Sequence, residues 1–334
     1  MPSARKHSGY RFWILQNCSH CVSERYLKMT NKLLKAIKDP GYAVYIFLTR
    51  YMRLTFRKKI FAHAKEYRSD SENGSYAAAV LKAVRKQKTF DNFKRIYGYR
   101  VILEHVSKDQ GYEYLEILKS RDDGILEGGL DTVLVSDEIG NPIKHGYEGF
   151  HIPLSPTTLR YLKVTSDLQI MFGDQLGDVA EIGCGYGGQT LVNDQLLNVR
   201  IAKLFDLPVV TELIDKYLNA HLLRGAYNTA VINQEKVSEY DLVISNYAFS
   251  ELPKKLQLSY IEKVLSKSKM GYLTMNSGLG GPRAEGKLSL GELRELLPKF
   301  EIFEEQPITH DYNYIIAWGY DDNAIKQHFK VKQP

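Results

Sequence analysis

Cysteine is scarce: Cys18, Cys21 and Cys184 are the whole supply in 334 residues. So few thiols exclude a disulfide-stapled scaffold, the usual device of small secreted domains. Cys18 and Cys21 form a C-x-x-C pair, but a structural zinc takes four ligands and no second such pair exists. Two reduced thiols near a helix start is the simpler reading, and no metal site is expected. Long apolar runs are also missing. The longest apolar stretch, Tyr42 to Phe56, is broken by Arg50 and Arg53 and falls short of the ~20 residues a membrane span requires. The apolar part of the N-terminus, Phe12 to Leu15, is too short for a secretory signal. There is no internal repeat and no low-complexity tract. These absences together predict a cytoplasmic protein.

Acids are scarce in the first third only. Residues 1–100 hold 22 Lys and Arg against 6 Asp and Glu, while the remaining 234 hold 23 against 33. Such asymmetry suits either a basic face for an acidic partner or a solvated basic helical domain. Ser23 to Ile37 and Tyr42 to Ala64 carry apolar residues at helical spacing, parted by the breaker Asp39-Pro40-Gly41. A basic amphipathic helix of this kind can rest on the anionic inner face of a membrane, or pack on its own domain. Residues 1–70 are therefore read as a basic helical segment.

Ser69 to Ser75 is polar and small, the best linker in this third. Residues 71–150 read as a helical cap followed by an irregular segment. Within it, Arg121 to Phe150 carries six glycines and β-like runs such as Thr132 to Val135, which suggests turns and a hairpin. Ser155 and Pro156 then open a helix. From residue 151 to 322 strands and helices alternate, the pattern of a doubly wound α/β domain. Residues 323–334 are left as a C-terminal tail.

The centre of that domain is Asp178 to Pro208. A short apolar strand ends at Ile182, glycines follow at 183, 185, 187 and 188, a helix begins, and a second strand ends on Asp206. Strand, glycine turn, helix, strand and acid make a nucleotide-binding unit. Glycine lets the backbone turn sharply and approach a ligand. An acid about 20 residues past the turn can accept both ribose hydroxyls. Gly183, Gly185 and Gly188 satisfy the dinucleotide fingerprint G-x-G-x-x-G, a weak signal alone. With Glu181 they also satisfy E-x-G-x-G-x-G. An acid there suits a cationic cofactor and repels a pyrophosphate.

That run resembles the first motif of class I S-adenosylmethionine (SAM) methyltransferases. The likeness sharpens when Glu181 to Gln189 is joined by Phe205-Asp-Leu-Pro208 and Ser245-Asn-Tyr-Ala-Phe-Ser-Glu-Leu252. Together these resemble a sugar O-methyltransferase family of bacterial surface-polysaccharide clusters, over about residues 75–320. The resemblance implies a Rossmann-like sheet that closes with an antiparallel hairpin, SAM as cofactor and a sugar or glycan as acceptor.

Ligands in such a sheet sit over the carboxyl ends of the strands. That rule, with the motifs, selects Glu181, Gly183, Gly185, Tyr186, Gly187, Gly188, Gln189, Asp206, Leu207, Asn233, Asn246 and Tyr247 for the cofactor. A sugar hydroxyl is a weak acid, so its methylation calls for a base. His310, in the loop between the last two strands, is the first choice because imidazole titrates near neutral pH. Glu251 is the second, as base or as orienter of the acceptor. His151, Glu148 and Asn276 are candidate acceptor contacts. Other methyl acceptors, an NAD(P)-dependent oxidoreductase and an inactive binding module remain open. Nucleic acid ranks low, because Ser245-Asn246-Tyr247-Ala248 lacks the paired prolines usual for base N-methylation.

Overall fold

The computed structural model describes residues 74–280 and 283–333. The basic segment 1–70, Cys18 and Cys21 lie outside the described residues, and so does the membrane reading; of the linker Ser69 to Ser75 only Gly74 and Ser75 are described, and they open the first helix below.

Among the described residues five α-helices come first: α1 (Gly74–Arg85), α2 (Gln87–Phe90), α3 (Tyr97–Leu103), α4 (Lys108–Arg121) and α5 (Ile125–Glu138). α4 starts where Ser107 accepts the Gln110 N–H and the Gln110 side chain returns the bond, a reciprocal cap. α5 corrects the sequence reading of turns and a hairpin after Arg121. Its buried residues Ile125, Leu126, Gly129, Val133 and Ser136 recur at helical spacing. Gly128 and Gly129 are not turn residues. A Cβ on Gly129 would stand 2.4 Å from Leu162 Cδ2, so glycine is there to let two helices meet closely.

The helix opened by Pro156 is α6 (Pro156–Phe172), and it leads into β1 (Gln175–Ile182). Ser155 holds the cap position without a side-chain bond, and its N–H is taken by Asp137 Oδ2 instead. Then follow α7 (Gly188–Leu196), β2 (Asn198–Phe205), α8 (Pro208–Leu218), β3 (Ala226–Ala230) and β4 (Tyr240–Asn246). The chain ends with α9 (Ala248–Glu251), α10 (Lys254–Lys263), β5 (Ser268–Met275), α11 (Leu290–Leu296), β6 (Glu301–Glu304), β7 (Tyr314–Trp318) and α12 (Asp322–Ile325). β3 stops three residues short of Asn233, one of the cofactor candidates. Asn233 lies on a single 3-10 turn instead.

Among the described residues the strands form one sheet, in the order β3-β2-β1-β4-β5-β7-β6. β1 to β5 run parallel, and β7 runs antiparallel between β5 and β6. This is the class I methyltransferase sheet, with the expected closing hairpin. The order reverses between β1 and β4, which puts the ligand crevice over their carboxyl ends. One face carries Val179, Leu242, Ile244 and Tyr272 under α6, α7 and the cap helices. The other carries Val243, Leu273 and Ile316 under α10 and α11.

The cap helices are not a separate layer. α4 packs on α6, α5 on α6 and α7, and α1 on α8, all within one core cluster. Lys216 of α8 donates to Ala83 O and Val84 O, so it closes the end of α1. The tail is tied down too: Glu304 N–H bonds Lys330 O, and Lys332 N–H bonds Ile302 O at 2.8 Å each. No helix among the described residues is long and apolar enough to cross a membrane.

Candidate functional site

The site is built from the carboxyl ends of β1, β2, β4 and β5 and the loop before β7. Register sets their level: Glu181 lies opposite Ile244, and Ile182 opposite Phe205. β1 runs out at Gly183, whose φ is +76°, and a Cβ there would stand 2.0 Å from Ala248 Cβ. Only glycine allows the β4 exit to lie that close to the turn. Gly185, at φ +61°, is covered by Leu103, whose Cδ1 would meet a Cβ at 2.8 Å. α3 thus lies over the glycine turn.

Asp206 joins β2 to this turn. Its Oδ2 accepts the Gly185 N–H at 3.0 Å and its Oδ1 accepts the Leu207 N–H at 2.7 Å. Burial pushes its carboxyl up to about 6, against the pull of those N–H groups. Each oxygen keeps a second lone pair, so the carboxylate is fixed in place and still able to accept from a diol. Leu207 packs half-buried beside it. Asn233 stands exposed one turn beyond β3.

Glu181 is buried and accepts the Thr190 hydroxyl at 2.6 Å. Burial first, then the neighbouring Asp206, raise its carboxyl to about 7. An acid with a raised native pKa stabilises the fold below its unfolded value, about 4.3. That contribution is lost as pH climbs from there towards about 7, because the native state holds the extra proton. Glu181→Gln keeps a partner for Thr190 and removes the titration. Thermal melts between pH 5 and 8 should show a shallower loss of stability in the variant. An unchanged slope would mean that Glu181 does not titrate in this window.

The side chains of Tyr186 and Gln189 face the helical layer. Tyr186 is fully buried, with the Tyr217 ring 4.8 Å away edge-on and the Lys94 ammonium 4.4 Å from its centroid. The Gln189 amide donates to Tyr161 O, Thr165 Oγ1 and Asn193 Oδ1. Gln189 Oε1 is buried without a partner.

The β4 exit holds the polar groups that can meet ligand. Asn246 Oδ1 is buried without a partner, and an unpaired buried acceptor is costly. Tyr247 has a φ of +66°, outside the range most side chains accept. Its hydroxyl bonds Glu305 Oε1. Glu251 Oε1 accepts from Asn276 Nδ2 at 2.8 Å and from Arg283 at 3.2 Å. Asn276 Oδ1 in turn accepts the Ser250 hydroxyl at 2.8 Å. So Glu251, Asn276, Ser250 and the Tyr247 carbonyl belong to one hydrogen-bonded cluster.

His310 sits in the loop before β7, at the carboxyl edge, since Tyr314 pairs with Met275. It is exposed, its ring stacks on Tyr312, and its Nδ1 accepts the Tyr312 N–H at 3.3 Å. Glu148 and His151 are exposed on the loop clasped by the His145–Leu154 bridge. No described contact joins them to the cluster.

Glu305 escaped the sequence reading. It is buried, and Oε2 accepts from Thr309 N, Thr309 Oγ1 and Asn313 Nδ2. It thereby ties the β6–β7 loop to Tyr247. The rule that acids at strand carboxyl ends face ligand would have found it, one residue past Glu304. Among the described residues no group of three or more His, Cys, Asp or Glu is placed to hold a metal.

No family model matches the sequence, and no curated protein matches it. Solved structures do. The pyocyanin biosynthetic protein PhzM is 12% identical with a TM-score of 0.37, over 48% of this chain and 56% of PhzM. The N-methyltransferase NodS from Bradyrhizobium japonicum WM9 is 14% identical with a TM-score of 0.34, over 48% of this chain and 91% of NodS. A second NodS structure, in complex with S-adenosyl-L-homocysteine (SAH), is 13% identical with a TM-score of 0.35, over 48% of this chain and 85% of that one. The matched part thus spans little more than half of PhzM. At these scores the assignment rests on the chain's own strand order: this is a class I methyltransferase fold with a glycine turn after β1.

Proposed function

We propose that the protein is a SAM-dependent O-methyltransferase acting on a sugar hydroxyl of a polysaccharide, glycolipid or nucleotide-sugar precursor. The carrying observation is the glycine turn locked to Asp206 beside the unpartnered Asn246 Oδ1. A purine nucleoside with a cationic tail fits such a set of acceptors. Asp206 would take the ribose hydroxyls, Leu207 and Asn233 the adenine, and Glu181, Asn246 and Tyr247 the amino-acid end, with the backbone of Gly183, Gly185, Gly187 and Gly188 around it. The cofactor supplies an activated methyl on a sulfonium.

The chain's own work is to hold the acceptor oxygen in line and remove its proton. Among the described residues both bonds to Glu251 fall on Oε1, so Oε2 is the oxygen available to a hydroxyl proton. His310 spends its Nδ1 lone pair on Tyr312 N–H. In the neutral ring the proton is then on Nε2, a donor rather than a base. This moves the proposed base from His310 to Glu251.

Calorimetry with SAM and with NAD tests the reading. SAM should bind at micromolar strength and NAD should not; NAD binding without SAM binding would reverse it. Asp206→Ala should weaken SAM by roughly 1.5–3 kcal/mol, the worth of hydrogen bonds to a charged group. An unchanged affinity in a folded variant would remove Asp206 from the ribose.

A further inference from the structure

Gly183 to Gly188 holds four glycines and two other residues, Cys184 and Tyr186. Gly183, Gly185 and Gly187 all have positive φ. A turn so rich in glycine loses much conformational freedom when it is fixed in one shape. Its own side chains can offset that loss, and Tyr186 is the large one. The ring is fully buried and lies against Gly188, where a Cβ would stand 2.7 Å from Tyr186 Cε2. The rings of Phe93, Tyr161 and Tyr217 surround it, with centroids 5.5, 6.1 and 4.8 Å away.

Lys94 places a charge on that ring. It lies in the 3-10 turn Phe93–Arg95 between α2 and α3, and it is 1% exposed. Its ammonium stands 4.4 Å from the Tyr186 centroid and 5.4 Å from that of Tyr217. It donates to Ser136 O at 2.8 Å, a carbonyl near the end of α5 that also accepts the Tyr217 hydroxyl at 3.1 Å. The path of the side chain is specific. Lys94 N–H bonds Gly140 O at 3.0 Å, and a Cβ on Gly140 would stand 2.7 Å from Lys94 Cγ. The buried cations Arg121 and Lys163 share Asp167, whereas Lys94 forms no ion pair among the described residues and has ring faces instead. Burying an ammonium on such terms is costly. Closing α5 would need only the bond to Ser136 O, and Tyr217 already serves that carbonyl. What sets this lysine apart is its contact with the ring of the glycine turn.

We propose that Lys94 is a positioning residue for the cofactor: it clamps the Tyr186 ring and so holds the glycine turn in its ligand-binding shape. The proposal rests on the methyltransferase reading and adds a residue of the cap to its cofactor site. It also gives the cap a task, since Lys94 joins the turn before α3 to the end of α5 and to the turn after β1. Without the clamp the glycine turn spends part of its time in other shapes, and the apparent affinity falls by that fraction. A contact between a desolvated ammonium and a ring supports a loss of roughly 5- to 30-fold.

The test titrates the full-length protein with SAH by calorimetry. A wild type that does not bind SAH rejects the methyltransferase reading and the clamp with it; every other negative result rejects the clamp alone. Lys94→Met keeps the length of the side chain and removes the charge. It should weaken SAH by the factor above, with the urea midpoint unchanged or raised, because an apolar side chain replaces a buried charge. Unchanged SAH affinity in the folded variant overturns the proposal, and a lowered midpoint beside it would leave Lys94 as a cap of α5. Tyr186→Leu removes the ring, and in that background Lys94→Met should cost SAH nothing further. Additive losses overturn the clamp. Hydrogen exchange of the wild type decides the matter should Lys94→Met not fold. If the two turns hold each other, SAH slows exchange at the Lys94 N–H as well as in the glycine turn. Protection that stops short of Phe93–Arg95 overturns the proposal.

Discussion

Asp167→Ala should destabilise the protein by about 3–5 kcal/mol, the cost of breaking a buried ion pair from one side. Asp167 lies on α6 with its side chain wholly buried. Its Oδ1 meets Arg121 at 2.7 Å, and its Oδ2 meets Lys163 at 2.6 Å and the Tyr272 hydroxyl at 2.5 Å. Burial alone would raise this carboxyl. Lys163 and Arg121 together outweigh burial and hold it below the usual range. Removing it strands two cations whose side chains are 3% exposed. It also frees Tyr272 in the middle of the sheet. The expected loss is a large part of the 5–15 kcal/mol or so that holds a typical domain. Urea unfolding measures it, and a loss under about 1 kcal/mol would show that water or side-chain movement satisfies the cations. The low native pKa of Asp167 adds a pH signature. Its contribution is present above the unfolded value, about 3.9, and is lost as pH falls further.

The framework of the cleft was legible because its residues have local signatures. The glycine turn, Asp206 at the end of β2 and the apolar run Leu242-Val243-Ile244 each mark a strand end or a strand, and the structure has them in that order. Gly128 and Gly129 misled because glycine serves two purposes. It permits a turn, and it permits close packing, and only the partner distinguishes them. Here the partner is Leu162, 33 residues further along than Gly129 in the chain. Tyr186 misled for a related reason. A tyrosine between two glycines of a ligand turn suggests contact with the ligand, but its side chain points into the helical layer, towards Phe93 and Tyr217.

Glu251→Gln should lower turnover by about 10²–10⁴-fold, the usual contribution of a positioned base. The measurement is SAH release with whichever acceptor the wild type methylates. Glutamine keeps the size of the side chain, and its amide oxygen can still accept from Asn276 and Arg283. What it removes is the lone pair that takes a proton. Because the acceptor hydroxyl loses that proton only as its oxygen attacks, kcat and kcat/KM should fall together. Affinity for SAM should stay nearly constant. A rise in KM alone would make Glu251 a positioning residue instead. His310→Ala distinguishes the rival base. With Nδ1 engaged by Tyr312 and the ring exposed, its removal should cost less than about tenfold, short of the 10²–10⁴ of a base. A loss of the full size in His310→Ala, with Glu251→Gln nearly unaffected, would mean that the ring turns on substrate binding and presents a free nitrogen. The two variants are independent in the structure. Glu251 is held from α9 by Asn276 and Arg283, and His310 hangs from the β6–β7 loop that Glu305 anchors. Their opposed outcomes therefore locate the base on one side of the cleft or the other.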